Sequence, residues 1–194
     1  MNQSIAPRRH SSTGFTLVEM IIVCTIVGIL LSIGLPSYRF VTTANRVSSE
    51  VNGLLGDLQF ARAEAIKQGI AVSICPTADQ ATCLATGNAW QTGWLVFTDL
   101  NTPPNGVINT AAGDQLLRAQ RSFTNTDTLT VDNAIKYLSF NRNGFMMNAA
   151  TGVTFSLHNS SANTAYTRCL SGTLVGALAT QRYGQTTAEA VACN

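Results

Sequence analysis

The sequence predicts an α+β protein in which one long N-terminal helix packs on an antiparallel β-sheet. Two observations support this prediction. An apolar run changes to an amphipathic pattern after residue 36, and short β-type segments separated by turn residues follow from residue 70 onward. The 194 residues suffice for one domain and one membrane element, so we expect a single hydrophobic core.

The composition is poor in charge. Hydrophobic residues make up 45% of the chain and charged residues 11%, against roughly 25% charged in a typical soluble protein. The net charge of +2 includes Arg8 and Arg9, which precede the apolar run. Without them the basic and acidic side chains balance, so the rest of the chain has no general attraction for nucleic acid or anionic lipid.

The apolar run predicts a transmembrane helix over residues 15–35. From Phe15 to Gly34 every residue except Glu19 is apolar, small or a hydroxyl. About 20 such residues form roughly 30 Å of helix, the thickness of a bilayer core. The preceding polar and basic segment is expected to remain in the cytoplasm, which directs the C-terminal domain outward.

Glu19 is unusual inside this run. An ionised carboxylate in hydrocarbon costs roughly 2.5–3.5 kcal/mol, and such groups usually have a partner. One interpretation is that Glu19 favours the N-terminal helix dipole and lies among the lipid headgroups. The other is that it pairs with a cation in the membrane, and the two roles are compatible.

The segment "GFTLVEM", Gly14 to Met20, resembles the processing signal of the type IV pilin and pseudopilin superfamily. In that superfamily a prepilin peptidase cuts after the glycine and methylates the new N-terminal residue. The resemblance implies a leader peptide over residues 1–14 and methylation at Phe15. It also implies an assembly role for Glu19, which would pair with the amine of an adjacent subunit, a pairing that low dielectric strengthens.

Residues 36–69 are predicted to be the amphipathic second half of the helix. Pro36 need not end it, because a kink beside Gly34 can be tolerated in a bundle. Gly69 is the expected C-cap, with Lys67 complementing the helix dipole. Apolar residues recur at spacings of three and four, which predicts one buried stripe: Val47, Val51, Leu54, Leu55, Leu58, Ala61 and Ala65.

Residues 70–194 are predicted to form an exported β-sheet domain. Five segments carry the β-branched and aromatic residues typical of strands: "AVSIC", "GWLVFTD", "IKYLSF", "GVTFSLH" and "RCLSGTLVG". Turn clusters such as "TPPNG" and "NRNG" separate them. Trp90, Trp94 and Phe97 are interpreted as core packing rather than as a stacking platform for a ligand.

The cysteines predict two disulfides. Cys24 lies in the apolar run and is interpreted as a small buried hydrophobe. The other four cysteines allow three pairings, of which the local one, Cys75 with Cys83 and Cys169 with Cys193, is favoured. No zinc-type spacing is present, so we expect no metal site there.

Three longer segments narrow the resemblance to the GspH/FimT family of minor pilins and pseudopilins: "LLGDLQFARAEAIKQGIAVSICP", "WQTGWLVFTDLN" and "LLR". This resemblance implies a type IV pilin-like fold and a structural subunit that initiates or caps a type IV pilus or a type II secretion pseudopilus. Its implied partners are other pilins or pseudopilins, the prepilin peptidase and the inner membrane. It implies one membrane pass, a periplasmic C-terminal domain and no cofactor.

Binding of DNA at a pilus tip, for uptake in natural transformation, is the alternative function. DNA-binding members of the family carry a glycine-arginine-x-arginine segment, where this chain has Gly176-Ala177-Leu178-Ala179. Both arginines are therefore missing, and we expect weak binding of duplex DNA at most. The candidate contacts that remain are Arg182, Arg168, Arg142 and Lys136.

Other motifs predict neither catalysis nor metal binding. The segment with Asp99, Asn101, Asn105 and Gly106 resembles an oxygen-rich calcium loop, but Asp99 is its one carboxylate and a plain loop is favoured. Of the two histidines, His10 lies in the expected leader, and His158 is isolated on a strand-like segment and is interpreted as a surface or core residue. No GxSxG or HExxH motif is present. We expect that the protein is not an enzyme.

Overall fold

The computed structural model describes residues 14–86, 88–123, 126–149, 151–161, 163–185 and 193. The chain divides into two compact units, one ending at Val41 and the other beginning at Thr42. Helix α1, Leu17–Gln68, has 52 residues and belongs to both units. Most of the expected leader, including Arg8, Arg9 and His10, lies outside the described residues.

Helix α1 ends where the sequence predicts. Gly69 has a φ of +70° and donates its N–H to the carbonyl of Ala65 at 3.0 Å, so the predicted glycine C-cap is confirmed. The predicted stripe is buried as well, with Leu55 half-buried and the other six positions 3% exposed or less: Val47, Val51, Leu54, Leu58, Ala61 and Ala65.

Eight strands follow the helix in the second unit. They are β1 (Val72–Pro76), β2 (Gly93–Thr98), β3 (Leu116–Arg121), β4 (Thr128–Val131), β5 (Leu138–Phe140), β6 (Val153–His158), β7 (Arg168–Gly172) and β8 (Leu178–Arg182). They form two four-stranded sheets, ordered β3-β2-β1-β5 and β4-β6-β7-β8. All neighbouring strands are antiparallel.

The prediction of a helix packed on an antiparallel sheet is confirmed, with two sheets in place of one. The five predicted strand segments correspond to β1, β2, β5, β6 and β7. Of the other three strands, β4 has the alternation typical of a strand, with Leu129 and Val131 buried, although it is not among the predicted segments. The remaining two, β3 and β8, lack the expected apolar pattern. In β3 no residue is fully buried, and in β8 the one buried side chain is the polar Gln181. Their positions depend on hydrogen bonding to a neighbouring strand, which periodicity does not report.

One hydrophobic core joins the helix stripe to both sheets. Ile74 and Phe140 come from the first sheet, and Phe155 and Leu170 from the second. Trp90 and Phe155 pack edge to face with ring centroids 5.0 Å apart. A smaller cluster of Cys75, Leu95 and Phe97 lies elsewhere in the first sheet.

Both tryptophans are core residues. Trp90 and Trp94 are at most 1% exposed, and Phe97 is fully buried. The indole N–H of Trp90 donates to the carbonyl of Ile135, and that of Trp94 donates to the Asp57 carboxylate at 2.8 Å. Each buried donor is satisfied within the protein, which confirms their interpretation as core packing.

Arg62 fixes two turns to the helix. Its guanidinium donates to the carbonyls of Gly144, Gly176 and Val175 at distances of 2.8–3.1 Å. Gly176 has a φ of +78°, and a Cβ there would lie 2.3 Å from the Gly144 carbonyl oxygen. The two turns therefore approach too closely for any side chain at position 176, and one cation bridges their carbonyls.

We expect Arg62→Met to lower the free energy of unfolding by about 1.5–3 kcal/mol, because carbonyls bonded to a charged donor lose it. Methionine keeps most of the aliphatic stem, so the lost hydrogen bonds dominate. Chemical denaturation of the mature chain in detergent measures the change. Arg142→Met removes the same charge from an exposed side chain and should change stability little; equal losses in the two variants would contradict the bridging role.

Candidate functional sites

The first half of α1 is an exposed apolar helix. It is long and apolar enough to cross a membrane, and the described side chains from Phe15 to Leu35 are exposed throughout. The N–H of Glu19 donates to the hydroxyl of Thr16 at 3.2 Å, as in a helix N-cap. Within the described part of the chain, no hydrogen bond or ion pair involves the Glu19 carboxylate.

Gly14 and Phe15 precede the helix. Both are exposed and lie outside regular secondary structure, and a Cβ at Gly14 would meet no atom within 4 Å. A peptidase binds its substrate in an extended conformation and needs access to the backbone on both sides of the bond that it cuts. The bond between these residues therefore lies in an accessible position, just ahead of the helix.

Two disulfides join the exported cysteines. Cys75 bonds to Cys83 with Cα atoms 5.6 Å apart, and Cys169 bonds to Cys193 with Cα atoms 5.7 Å apart. The first closes the loop that follows β1. The second ties Cys193 to β7, and the hydrogen bond from the N–H of Gly184 to the Cys193 carbonyl lies beside it. The interpretation of Cys24 as a buried residue is wrong for the described chain, because no other described residue covers the apolar half of the helix and Cys24 is exposed there.

Two of the four candidate cations lie together. Arg168 on β7 and Arg182 on β8 are directly paired in register, and both line a cleft of about 240 Å³. Burial lowers the pKa of Arg168, and the charge of Arg182 lowers it further. The rest of the cleft is mostly polar: Ser48, Val51, Asn52, Thr180, Gln181 and Gln185.

The other two cations lie elsewhere. Arg142 lines a separate cavity with Leu100, Pro104 and Met147. Two residues further along the chain, Gly144 lies beside Gly176 in the turn between β7 and β8. Arg168 lies at the other end of this hairpin, away from the turn. Lys136 is exposed on the segment before β5. The four cations therefore do not form one continuous basic surface.

The calcium-like segment is a loop held by its own carboxylate. Asp99 is 1% exposed and accepts hydrogen bonds from the Ser73 hydroxyl and from the backbone N–H groups of Asn105 and Gly106, at 2.8–3.1 Å. These three donors bond to Oδ2, and the backbone and side-chain amides of Asn101 donate to Oδ1 at 3.3 and 3.1 Å, so both oxygens that a calcium ion would need are already occupied. Across the described residues, no cluster of His, Cys, Asp or Glu is arranged to hold a metal. His158 contacts Thr167 through Nδ1 at 3.2 Å.

A buried charge cluster, which the sequence did not suggest, joins α1 to the segment before β4. Arg46 donates two hydrogen bonds of 2.9 Å to the fully buried carboxylate of Asp127. Glu50 lies one helical turn further along, and its Oε2 is buried with no hydrogen-bond partner in the described structure. Burial, the charge of the nearby Asp127 carboxylate and a hydrogen bond with Asp127 together raise the pKa of Glu50 to about 7, against the opposing charge of Arg46.

This cluster predicts that stability decreases as the pH rises from about 4.5 to about 7. The folded protein holds the Glu50 proton more tightly than the unfolded chain, so ionisation in this range favours unfolding. Glu50→Gln should remove this component and be more stable than the parent at pH 8. Denaturation of both proteins at pH 5 and pH 8 measures it, and a parent that gains stability relative to Glu50→Gln at pH 8 would contradict it.

These features define a class of protein. An exposed apolar helix that begins beside an accessible glycine and continues into a two-sheet α+β domain is the architecture of minor pilins and pseudopilins. Residues 50–176 match the family of the type II transport protein GspH, and residues 9–35 match the prokaryotic N-terminal methylation motif. The chain belongs to the GspH family.

Two solved structures are similar to this chain. The type IV minor pilin FimU of Pseudomonas aeruginosa is 26% identical, over 71% of this chain and 89% of that one, with a TM-score of 0.54. The minor pseudopilin EpsH from the type 2 secretion system of Vibrio cholerae is 11% identical, over 71% and 97%, with a TM-score of 0.49. A comparison with curated proteins gives no match. None of these findings supports the DNA-uptake alternative.

Proposed function

We propose that the protein is a low-copy structural subunit that initiates or caps a type IV pilus or a type II secretion pseudopilus. The observation that carries this proposal is the first half of α1, an exposed membrane-length helix with Glu19 near its start. A helix of this kind has apolar surface along its whole length to bury against lipid and against neighbouring helices. The family membership supports the same conclusion.

Processing would create the cation that Glu19 lacks. Cleavage between Gly14 and Phe15 leaves an amine at Phe15, which methylation keeps basic. Phe15 precedes Glu19 by about one helical turn, so in a staggered bundle the amine of one subunit can meet the Glu19 of another. Low dielectric strengthens this pairing, and the alternative is an unpaired carboxylate in hydrocarbon.

The same helix would set the location before assembly. The precursor would cross the inner membrane once, with the leader in the cytoplasm and residues 70–194 in the periplasm. The prepilin peptidase and other pilins or pseudopilins would be its partners. In such a subunit the two-sheet domain supplies surface for contacts with its neighbours.

A deletion strain tests the proposal. Pilus display, protein secretion and DNA transformation are measured side by side, with the intact gene and a Glu19→Ala gene restored separately. We expect loss of pilus display or of secretion, rescue by the intact gene and no rescue by the Glu19→Ala gene. Loss of transformation alone, with pili and secretion unchanged, would contradict the structural role and favour the DNA-binding alternative.

A further inference from the structure

The cleft between α1 and the β7–β8 hairpin contains two like charges on directly paired residues. Arg168 and Arg182 lie opposite each other in the antiparallel register, so their side chains extend from the same face of the sheet, roughly 5 Å apart at Cβ. Like charges in this arrangement destabilise a sheet. A group that offsets the repulsion is therefore expected between them.

The described residues offset the repulsion between the two arginines only in part. Nη1 of Arg168 donates to the carbonyls of Ala165 and Thr167 at 3.2 and 2.9 Å. The ion pairs found in the described structure involve Arg46, Lys67 and Arg118, and neither arginine of the cleft. Carbonyl dipoles accept hydrogen bonds but carry no net charge, so the described residues leave the cleft with an excess of positive charge.

The shape of the cleft favours a small anion. Its volume of about 240 Å³ accommodates one side-chain group, and Ser48, Asn52 and Gln185 add polar groups around the guanidiniums. A planar carboxylate can accept parallel hydrogen bonds from an arginine, which gives both strength and directionality. Ser48 and Asn52 lie on α1 beyond the apolar run, so an occupant would approach outside the membrane.

Duplex DNA fits this cleft less well. Its phosphates need several cations along a continuous surface. Arg142 lies near the other end of the hairpin, where Gly144 meets Gly176. Strand β7 runs from Arg168 to Gly172, so the turn end of the hairpin is about 13 Å from the end with the two cleft arginines, at roughly 3.3 Å per residue. Between these two ends, Ala177 and Ala179 are exposed and add no cation to the surface.

We propose that the cleft between Arg168 and Arg182 binds one carboxylate, an aspartate or glutamate side chain of a neighbouring subunit. This inference rests on the proposed function, since the filament supplies the neighbour. The contact is separate from the Glu19 pairing in the membrane. It would select which subunit lies beside this one, because charge complementarity at an interface governs specificity.

The direct test uses acetate as the probe on the mature chain in detergent. The Nε–Hε NMR signals of Arg168 and Arg182 are followed at constant ionic strength. We expect both signals to shift together along one saturable curve, while the signal of the exposed Arg142 does not saturate. The absence of saturation at the cleft arginines would overturn the proposal. Glu189 is the one acidic side chain in residues 133–194, so the titration is repeated with Glu189→Gln. A response that appears only in that variant would also overturn the proposal, because the chain's own carboxylate would then be the occupant.

The second test compares Arg168→Gln/Arg182→Gln with Arg142→Gln in cells and in solution. We expect the double variant to fold with an unchanged or higher Tm and to fall about tenfold in purified filaments, with Arg142→Gln at the parent level. A much lower Tm of the double variant would make the pair structural and overturn the proposal. Normal filament levels together with lost duplex-DNA binding would assign the cleft to phosphate and also overturn it. Absence of the parent itself from filaments would instead contradict the proposed function.

Discussion

Glu19→Ala is expected to abolish incorporation of the protein into filaments while leaving its processing and domain stability unchanged. The carboxylate lies on an exposed apolar helix, and the described structure gives it no partner. Removing one member of a buried ion pair typically costs about 3–5 kcal/mol. A loss of that size reduces incorporation by about 100-fold or more.

Filaments sheared from cells and probed for the protein measure this effect, with the membrane fraction probed in parallel. Glu64→Ala is the matched control, because it removes a carboxylate from the same helix beyond the apolar run. Glu64 contacts Lys67 and Gln68 at the surface, where such pairs contribute little. Equal incorporation of Glu19→Ala and the parent would contradict the assembly role.

Loss of the Cys169–Cys193 disulfide is expected to destabilise the exported domain by about 3.4 kcal/mol, compared with about 2.5 kcal/mol for Cys75–Cys83. These values follow from the chain entropy of the two closed loops, whose cysteines are 24 and 8 residues apart. A cross-link restricts the unfolded chain more when the loop it closes is longer.

Paired Cys→Ala variants, studied by chemical denaturation, measure both effects. All four cysteines are joined in these bonds, and three of them are at most 1% exposed: Cys75, Cys169 and Cys193. Each substitution therefore adds a small packing loss to the entropic one. Cys24→Ala is the control and should leave the domain unchanged. The reverse ranking, with the shorter loop contributing more, would contradict the chain-entropy account.

The sequence predicts the parts of the fold that depend on local chemistry. The stripe from Val47 to Ala65 follows from helical periodicity, and Gly69 ends the helix because glycine readily adopts a positive φ. The strands β1 and β6 carry the β-branched and aromatic residues typical of buried strands. Each of these signals is contained within a few neighbouring residues.

The features that the sequence does not reveal depend on contacts between distant segments. Arg62 appears as one polar residue on a helix, and its function as a bridge depends on two turns more than 80 residues away. The raised pKa of Glu50 depends on its partial burial and on Asp127, which is 77 residues away in the sequence. The pairing of Arg168 with Arg182 becomes apparent once β8 is placed, and Leu178–Arg182 has no apolar alternation to predict a strand.

The proposed processing and the proposed assembly have one product in common, which is a mature chain within a filament. Mass spectrometry of purified filaments therefore tests the central claim most directly. We expect an N-terminal peptide that begins at Phe15 with one added methyl group, and no peptide from residues 1–14. A chain that begins at Met1, or one that is absent from filaments and present in membranes, would contradict the account.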